Sequence, residues 1–263
     1  MKILILGRTS SLSIEFSEYL KKNKISHTVK GLNEFLNLDK KKIEKFDILI
    51  NFCVHKNYLD KIYNKKYDLD LKIIKKISKL KVKFVMLSTS KIYSSGINLL
   101  ESSRTKPNSN YGKNKLKTEK NVTKYIKNYL IFRLSNIITK KNNKSKKSVT
   151  NTFFDIVRNN LRKKKIIFPQ NKIYKDFIFI NDFCILLLLS LKQNLKGIYN
   201  LSSGKKTYLK KIALFLSKIT GLKVFFTDIK TDSFMLNNKK LIKKLRYKKK
   251  IRELNLSNLK KII

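Results

Sequence analysis

The chain opens on a short strand-like run and a glycine turn, Ile3-Leu-Ile-Leu-Gly7-Arg-Thr-Ser10-Ser-Leu-Ser13. Ile3 to Leu6 is continuously apolar, which predicts a strand that is buried on both faces. Gly7 ends that strand, and apolar residues then recur at helical spacing from Ile14 to Leu20. A buried strand that turns through glycine into an amphipathic helix is typical of the first unit of a parallel α/β sheet.

The same alternation continues through the first half of the chain. Short apolar runs occur at 47–51, 83–87 and 129–133, and helix-like patterns occur at 68–80 and 111–128. Apolar strands separated by helices indicate a parallel sheet with helices on both faces. We therefore predict an α/β fold, a Rossmann-type doubly wound parallel sheet, whose ligand binds outside the carboxyl ends of the strands.

The formal net charge of +45 first suggests a nucleic-acid partner, because basic chains bind phosphate backbones. The makeup of that charge argues otherwise. Arginine, the better residue for forked phosphate recognition, supplies 7 of the 62 basic residues, and the lysines are spread along the whole chain. Alanine occurs once, as Ala213, so the composition is typical of an A/T-rich coding bias. We expect a surface that attracts anions but no specific nucleic-acid partner.

The cysteines and the apolar runs bear on where the protein works. Two cysteines, Cys53 and Cys184, are too few for a disulfide scaffold and indicate a reducing compartment. The first apolar run is too short for a signal peptide, and the run from Cys184 to Leu189 is too short to span a bilayer. We expect a soluble, cytoplasmic protein with no membrane partner.

The turn from Gly7 to Ser13 has the spacing of a dinucleotide-binding fingerprint. That fingerprint uses three glycines, for a tight turn, for close approach to the pyrophosphate and for packing of the helix on the strand. This chain keeps Gly7 and places Ser10 and Ser13 at the other two positions. The pyrophosphate would rest on the start of the helix, at Ser10, Ser11 and Leu12. An ordinary strand, turn and helix without a ligand explains this segment about equally well.

Polar residues also follow two later strands. Asn51 ends the run at 47–51, and hydroxyl groups crowd the run Leu87-Ser88-Thr89-Ser90-Lys91-Ile92-Tyr93. Both segments fall where a ligand of such a sheet binds, although hydroxyls in these places also cap turns.

The pair Tyr111 and Lys115, in the run Pro107-Asn-Ser-Asn-Tyr111-Gly-Lys-Asn-Lys115, carries the clearest chemistry. Side chains four apart on a helix share one face. A phenol ordinarily has a pKa of about 10, and a neighbouring ammonium lowers it, so that the phenol exchanges a proton near neutral pH. In a chain with 12 tyrosines and so many lysines this spacing also arises by chance. The pair must therefore be judged with its neighbours.

Taken in order, the motifs resemble those of the extended short-chain dehydrogenase/reductase family, in its NAD-dependent epimerase/dehydratase group that acts on nucleotide sugars. The matching segments are 7–13, 47–51, 87–93, 101 with 107–115, 132–136, 175–182 and 197–204. Glycine is scarce, with 7 in the chain, yet Gly7, Gly112, Gly197 and Gly204 all fall on family positions. Chance would not place them there.

The resemblance implies an NAD(P)-dependent nucleotide-sugar epimerase or ketoreductase, with NAD or NADP as its cofactor and no metal. It makes Tyr111 the acid/base, Lys115 the residue that tunes it and holds the nicotinamide ribose, and Thr89 the hydrogen-bond partner of the reacting oxygen. Asn136 would contact the substrate together with Thr89. The remaining cofactor contacts would be Gly7, Ser10, Ser11, Leu12 and Asn51.

The resemblance also implies a division of the chain and a partner. Residues 1–137, with 175–204 returning to them, would form the dinucleotide-binding Rossmann domain. Residues 138–174 and 205–263 would form a small interleaved α/β domain that binds the substrate. The habit of the family is a homodimer.

Three departures from the family pattern keep alternatives open. Ser90 and Lys91 stand where the dehydratases carry Asp-Glu, which argues against a dehydratase. No clear acidic residue follows the predicted second strand at 28–32 to hold a ribose hydroxyl, and Lys30 would suit a 2′-phosphate. Ser10 and Ser13 add side chains in the phosphate turn. The alternative function is a catalytically degraded relative that binds a nucleotide or a partner without turnover.

Overall fold

The computed structural model describes residues 1–139, 153–169, 172–228, 231–255 and 258–260. In chain order, the strands of these residues are β1 (Ile3–Leu6), β2 (His27–Lys30), β3 (Ile48–Asn51), β4 (Lys83–Thr89), β5 (Gly96–Leu99), β6 (Tyr129–Leu134), β7 (Asn136–Ile138), β8 (Ile166–Pro169), β9 (Tyr174–Lys175), β10 (Phe177–Phe179), β11 (Gly197–Leu201), β12 (Thr207–Tyr208), β13 (Val224–Thr227) and β14 (Phe234–Leu236). The helices are α1 (Ser11–Lys22), α2 (Leu32–Leu36), α3 (Lys40–Ile43), α4 (Lys56–Asp60), α5 (Leu69–Ile77), α6 (Asn110–Tyr125), α7 (Phe153–Arg162), α8 (Ile180–Lys192), α9 (Leu209–Thr220) and α10 (Lys239–Leu245), with a 3₁₀ turn at Ser90–Ile92 after β4.

Six parallel strands form the main sheet, in the order β11-β6-β4-β3-β1-β2. The chain runs from β1 outward to β2 and then crosses to β3 on the other side of β1, so the strand order reverses between β1 and β3. Ligands of doubly wound sheets bind at such a reversal, beyond the carboxyl ends of the strands. The predicted fold class is confirmed.

The continuous apolar runs of the central strands follow from burial on both faces. In β1, Ile3 and Ile5 pack in the cluster covered by α1 and α8, whereas Leu4 and Leu6 pack in the cluster covered by α5 and α6. All four side chains are fully buried. Side chains of a strand point alternately to its two faces, so a strand covered on both sides must be apolar throughout.

Three smaller sheets accompany the main sheet among the described residues. Strands β7 and β10 pair with each other, β13 pairs with β8, and a four-stranded sheet has the order β12-β9-β14-β5. A separate apolar cluster lies under α7 and α9 and includes Phe154, Phe177 and Leu216. The division into two domains stays a prediction. Leu241 and Leu245 of α10 pack in the main core, although the predicted substrate domain at 205–263 includes this helix.

No helix among the described ranges has both the length and the apolar character that crossing a membrane requires.

Candidate active site

A cavity of about 440 Å³ opens at the carboxyl edge of the main sheet, beside the reversal between β1 and β3. It is walled by the start of α1, the segments that follow β3, β4 and β6, and one face of α6. Apart from Gly7, every residue that the sequence proposed for cofactor, substrate or catalysis lines this cavity, namely Ser10, Ser11, Leu12, Asn51, Thr89, Tyr111, Lys115 and Asn136. Their individual roles stay predictions.

The phosphate turn keeps the backbone that the fingerprint requires at its first position. Gly7 has a φ of 122°, and a Cβ placed there would lie 3.1 Å from the Cβ of Phe52. The Ser10 amide donates to the Gly7 carbonyl oxygen at 2.9 Å, and α1 begins at the next residue. The Ser10 side chain makes no capping hydrogen bond. The first-turn amides of α1 therefore face the cavity without an intrahelical acceptor, which is the arrangement that binds a phosphate.

Ser13 occupies the position where the fingerprint has its third glycine. Its side chain is buried against the sheet, and its hydroxyl has no hydrogen-bond partner among the described residues. The helix thus packs on the strand with serine at this position, at a cost of about 1–3 kcal/mol for the unpaired hydroxyl. Serine in place of the third glycine therefore lowers the stability of the protein rather than changing the shape of the turn.

Gly112 brings Tyr111 close to the end of β4. A Cβ on Gly112 would overlap the carbonyl oxygen of Lys91, so α6 can approach the 3₁₀ turn this closely with glycine alone. Ser109 caps the helix by accepting from the Gly112 amide at 3.2 Å. Thr89, buried at the end of β4, accepts from the Lys91 amide at 3.3 Å. Thr89 and Tyr111 consequently line the same cavity from two different elements.

Lys115 is held by a residue that the sequence did not single out. Its Nζ lies 3.0 Å from Oδ2 of Asp70 on α5, and both side chains are almost fully buried. The other oxygen of Asp70 accepts from Nδ2 of Asn51 at 2.7 Å, and Asn51 Oδ1 accepts from the Cys53 amide at 2.8 Å. A signal for Asp70 does exist, because this chain has 17 acidic residues and Asp70 interrupts an apolar helix.

The charges around Tyr111 act in opposite directions. Burial raises the pKa of Tyr111, the Lys115 ammonium lowers it, Asp70 raises it, and the net pKa lies above the ordinary value. Burial by itself would lower the pKa of Lys115, but Asp70 and Tyr111 raise it above its usual range. The expected lowering by Lys115 is present, but burial first and Asp70 second outweigh it, and this net direction was not predicted from the sequence.

Asn136 lines the cavity from the start of β7. Its Nδ2 donates to the carbonyl oxygen of Asp176 at 3.1 Å, and its backbone amide donates to the same oxygen at 3.0 Å. The side-chain oxygens of Asp176 are engaged elsewhere: Oδ1 accepts from the amide and the hydroxyl of Ser203, and Oδ2 accepts from the amide of Gly204. Asp176 thus fixes the backbone beside Asn136 rather than reaching the cavity.

Several of the other motif residues form a buried network under the site. Arg133 donates to both carboxylate oxygens of Glu119 and to the hydroxyl of Tyr93 at 2.8 Å. Tyr93 in turn donates to Asn200 Oδ1 at 2.9 Å, and the Asn200 amide donates to Glu101 Oε1 at 2.8 Å. These five residues do not line the cavity. They hold the turn that follows Thr89, so their part of the motif serves the fold.

The turn after β1 carries an ion pair that sequence reasoning missed. Arg8 donates two parallel hydrogen bonds to Glu34, with Nη1–Oε1 2.8 Å and Nη2–Oε2 2.9 Å. Glu34 lies on α2, four residues beyond the end of β2 and beyond the predicted second strand at 28–32. The carboxyl end of β2 therefore offers a carboxylate, a guanidinium and Lys30 to a nucleotide.

Comparison with known proteins agrees with this geometry. The family model described as the NAD dependent epimerase/dehydratase family matches residues 10–202. No curated protein sequence matches the chain.

Three solved structures show the extent of the likeness in fold. A UDP-glucuronic acid 4-epimerase from Bacillus cereus in complex with NAD is 19% identical, with a TM-score of 0.77, over 100% of this chain and 97% of that one. A dTDP-4-dehydrorhamnose reductase from Clostridium acetobutylicum is 18% identical, with a TM-score of 0.75, over 100% and 98%. An NAD-dependent NDP-hexosamine 5,6-dehydratase of tunicamycin biosynthesis is 14% identical, with a TM-score of 0.82, over 99% and 96%. At these identities the likeness establishes the fold.

Proposed function

Because this chain belongs to the NAD-dependent epimerase/dehydratase family, we propose that it is an NAD(P)-dependent nucleotide-sugar epimerase or ketoreductase. One observation carries the proposal. Thr89, Tyr111 and Lys115 line a single cavity of about 440 Å³ together with the first turn of α1. A hydroxyl, a phenol and an ammonium thus lie in the same cavity as amides that are free to bind a phosphate.

The residues present fit a dinucleotide. The positive φ of Gly7 leaves the turn open, and the amides at the start of α1 would hold the pyrophosphate. Lys115 and Asn51 would contact the nicotinamide end, and the nicotinamide would supply the hydride. Arg8, Lys30 and Glu34 lie where the adenosine ribose of such a cofactor binds.

Tyr111 would exchange a proton with the reacting oxygen of the sugar. Thr89 would donate a hydrogen bond to the same oxygen, and Lys115 would stabilise the phenolate that forms. General acid/base assistance of this kind contributes about 10²- to 10⁴-fold in rate. Tyr58 packs edge-on against Tyr111 with ring centroids 6.3 Å apart and supports one side of the phenol ring.

The surroundings of the cavity favour an anionic substrate. Lys91 lies in its wall, with Nζ 6.0 Å from the centre of the Tyr111 ring. Lys175 is close behind it, and burial together with Lys91 lowers the pKa of Lys175 to about 8. A diphosphate on the substrate would be attracted by Lys91. Lys175 does not line the cavity, and its Nζ donates to Thr231 Oγ1 and to the carbonyl oxygen of Asp232. The epimerase from Bacillus cereus is described in complex with UDP-glucuronic acid and NAD, a substrate of this class.

Tyr111→Phe tests the proposal. Wild-type protein is titrated calorimetrically with NAD(H) and NADP(H) and then incubated with UDP- and dTDP-sugars and their 4-keto forms. We expect dinucleotide binding in both proteins and turnover in the wild type alone, with unchanged thermal unfolding. Near-normal turnover by the variant would contradict the mechanism.

The alternative is a catalytically degraded relative that binds a nucleotide or a partner without turnover. It is motivated by Ser10 and by the hydroxyl of Ser13, which has no partner among the described residues. The same calorimetry decides it. Failure of the wild type to bind any dinucleotide would favour the alternative over the proposed enzyme.

A further inference from the structure

Asp70 occupies a position that the proposed mechanism does not use. It lies on α5, an element that contributes no residue to the cavity wall, and its side chain is buried. One oxygen contacts Lys115 Nζ at 3.0 Å and the other accepts from Asn51 at 2.7 Å. Both of these partners line the cavity, so Asp70 ties two cavity residues together from behind.

A buried ion pair of this kind changes the charge that the cavity presents. Lys115 alone would place one positive charge beside the phenol of Tyr111. The carboxylate of Asp70 makes the pair neutral, and in a poorly solvated interior the two charges are screened little by water. The electrostatic effects of Lys115 and Asp70 on Tyr111 are therefore opposite in sign and partly cancel.

The other charged and titratable groups around Tyr111 do not replace this effect. Lys91 faces the ring from the turn after β4 at 6.0 Å, and Tyr58 of α4 packs against it. Asp60 and Cys53 lie further along the cavity wall. Burial and Asp70 raise the pKa of the Cys53 thiol to about 12, so the thiol adds no negative charge near neutral pH.

We propose that Asp70 is a positioning residue: its carboxylate holds both Lys115 and Asn51 and offsets part of the effect of the ammonium, so that the buried Tyr111 stays a phenol and acts as a proton donor. This inference rests on the proposed function and specifies the direction of the hydride transfer, from the cofactor to the sugar. The carbonyl carbon of a keto sugar receives the hydride of the reduced nicotinamide, and its oxygen receives the proton of Tyr111. The products would be a secondary alcohol, the oxidised nicotinamide and a phenolate, which regains its proton from solvent. The site is thereby arranged for ketone reduction.

The protonation state of Tyr111 can be read without turnover. The protein is labelled with ¹³C at the ζ carbon of tyrosine, and the Tyr111 signal is identified by its loss in Tyr111→Phe. We expect this signal to titrate above about 10 in the wild type, the ordinary value for a phenol. In Asp70→Asn, which keeps the shape and the hydrogen bond from Asn51, the titration should move down by about 1 unit or more.

Asp68→Asn is the matched control. Asp68 is a buried carboxylate at the start of the same helix, but it accepts from Leu71, Thr118 and Tyr63 and makes no contact with Lys115. We expect it to leave the titration of Tyr111 unchanged. Where a keto sugar is turned over, the alkaline limb of the reduction rate should also move to lower pH in Asp70→Asn, because reduction requires the phenol.

Two results would overturn the inference. One is a wild-type Tyr111 that titrates below about 8, a measurement that needs no folded variant of Asp70. The other is a folded Asp70→Asn protein whose Tyr111 titrates as in the wild type. Since both are measured on the protein without substrate, they are independent of whether any nucleotide sugar is turned over.

Discussion

The carbonyl oxygen of Lys91 lies where the Cβ of any larger residue at position 112 would have to stand. This contact joins the turn after β4 to the first turn of α6, and so it sets the position of Tyr111 with respect to Thr89. Because the obstacle is backbone rather than the end of a side chain, it cannot move aside cheaply.

Gly112→Ala should therefore impair both stability and activity. We expect a loss of about 1–3 kcal/mol in the free energy of unfolding, the usual cost of overpacking, and at least a tenfold lower kcat. Urea unfolding and steady-state kinetics measure the two effects. Gly96→Ala is the control, because a Cβ there meets the end of the Leu99 side chain. Equal effects of the two substitutions would show that the contact with Lys91 is unimportant.

Ser13 and Ser17 lie on the same helix and should respond with opposite sign. Ser13 has a buried hydroxyl without a partner among the described residues, so Ser13→Ala should stabilise the protein by about 1 kcal/mol. The hydroxyl of Ser17 hydrogen-bonds to His27 Nε2 at 2.7 Å, so Ser17→Ala should destabilise it by a similar amount. Thermal unfolding of the two variants checks this. A loss of stability in Ser13→Ala would mean that its hydroxyl is paired in solution.

The pairing of Arg8 with Glu34 should govern the choice between the two dinucleotides. With Glu34→Gln, Arg8 and Lys30 are free to bind a 2′-phosphate, and we expect affinity for NADPH relative to NADH to rise about tenfold. Calorimetric titration with both cofactors measures the ratio. Glu44→Gln removes an exposed carboxylate at the end of α3 and should leave the ratio unchanged. An unchanged ratio in Glu34→Gln would remove Arg8 from the ribose site.

Asp176 should make stability depend on pH in the acid range. Burial raises its pKa to about 6, although Ser203 and the surrounding amides act to lower it. The folded protein then binds a proton more tightly than the unfolded chain, so this residue's contribution falls as pH rises from about 4 to 6, by about 2–3 kcal/mol in total. The difference in unfolding free energy between wild type and Asp176→Asn, followed across this range, measures it. A difference that stays constant with pH would contradict the raised pKa.

The elements of the main sheet were predictable because their information is local. The run Ile3 to Leu6 is β1 to the residue, and the run at 83–87 lies within β4, since continuous apolar runs reflect burial on both faces. The small strands β5, β9, β12 and β14 were not predicted. Phe234 of β14 pairs with Gly96 of β5, which is far away in the sequence. Because the pairing is not local, the periodicity of neither segment predicts a strand.

The residues of the candidate site also divide into those that the sequence predicted and those that it did not. Thr89, Tyr111 and Lys115 were found from the order of the motifs, and the structure places all three in one cavity. Asp70 and Glu34 were missed because their partners, Lys115 and Arg8, lie on other elements. The net direction of the Tyr111 pKa was not predicted, because it depends on burial and on a carboxylate that tertiary packing brings close.

The buried network under the turn after β4 has a mechanical consequence. Ser88 donates to Glu119, Arg133 connects Glu119 to Tyr93, and Asn200 continues the connection by donating to the carbonyl oxygens of Leu99 and Asn237. These hydrogen bonds run without a gap from the central strand β4 to β5 and to the residue after β14. The two sheets are thereby connected by buried hydrogen bonds, and neither can slide past the other without breaking them. Any opening of the cavity must take place in parts of the wall that these hydrogen bonds do not connect.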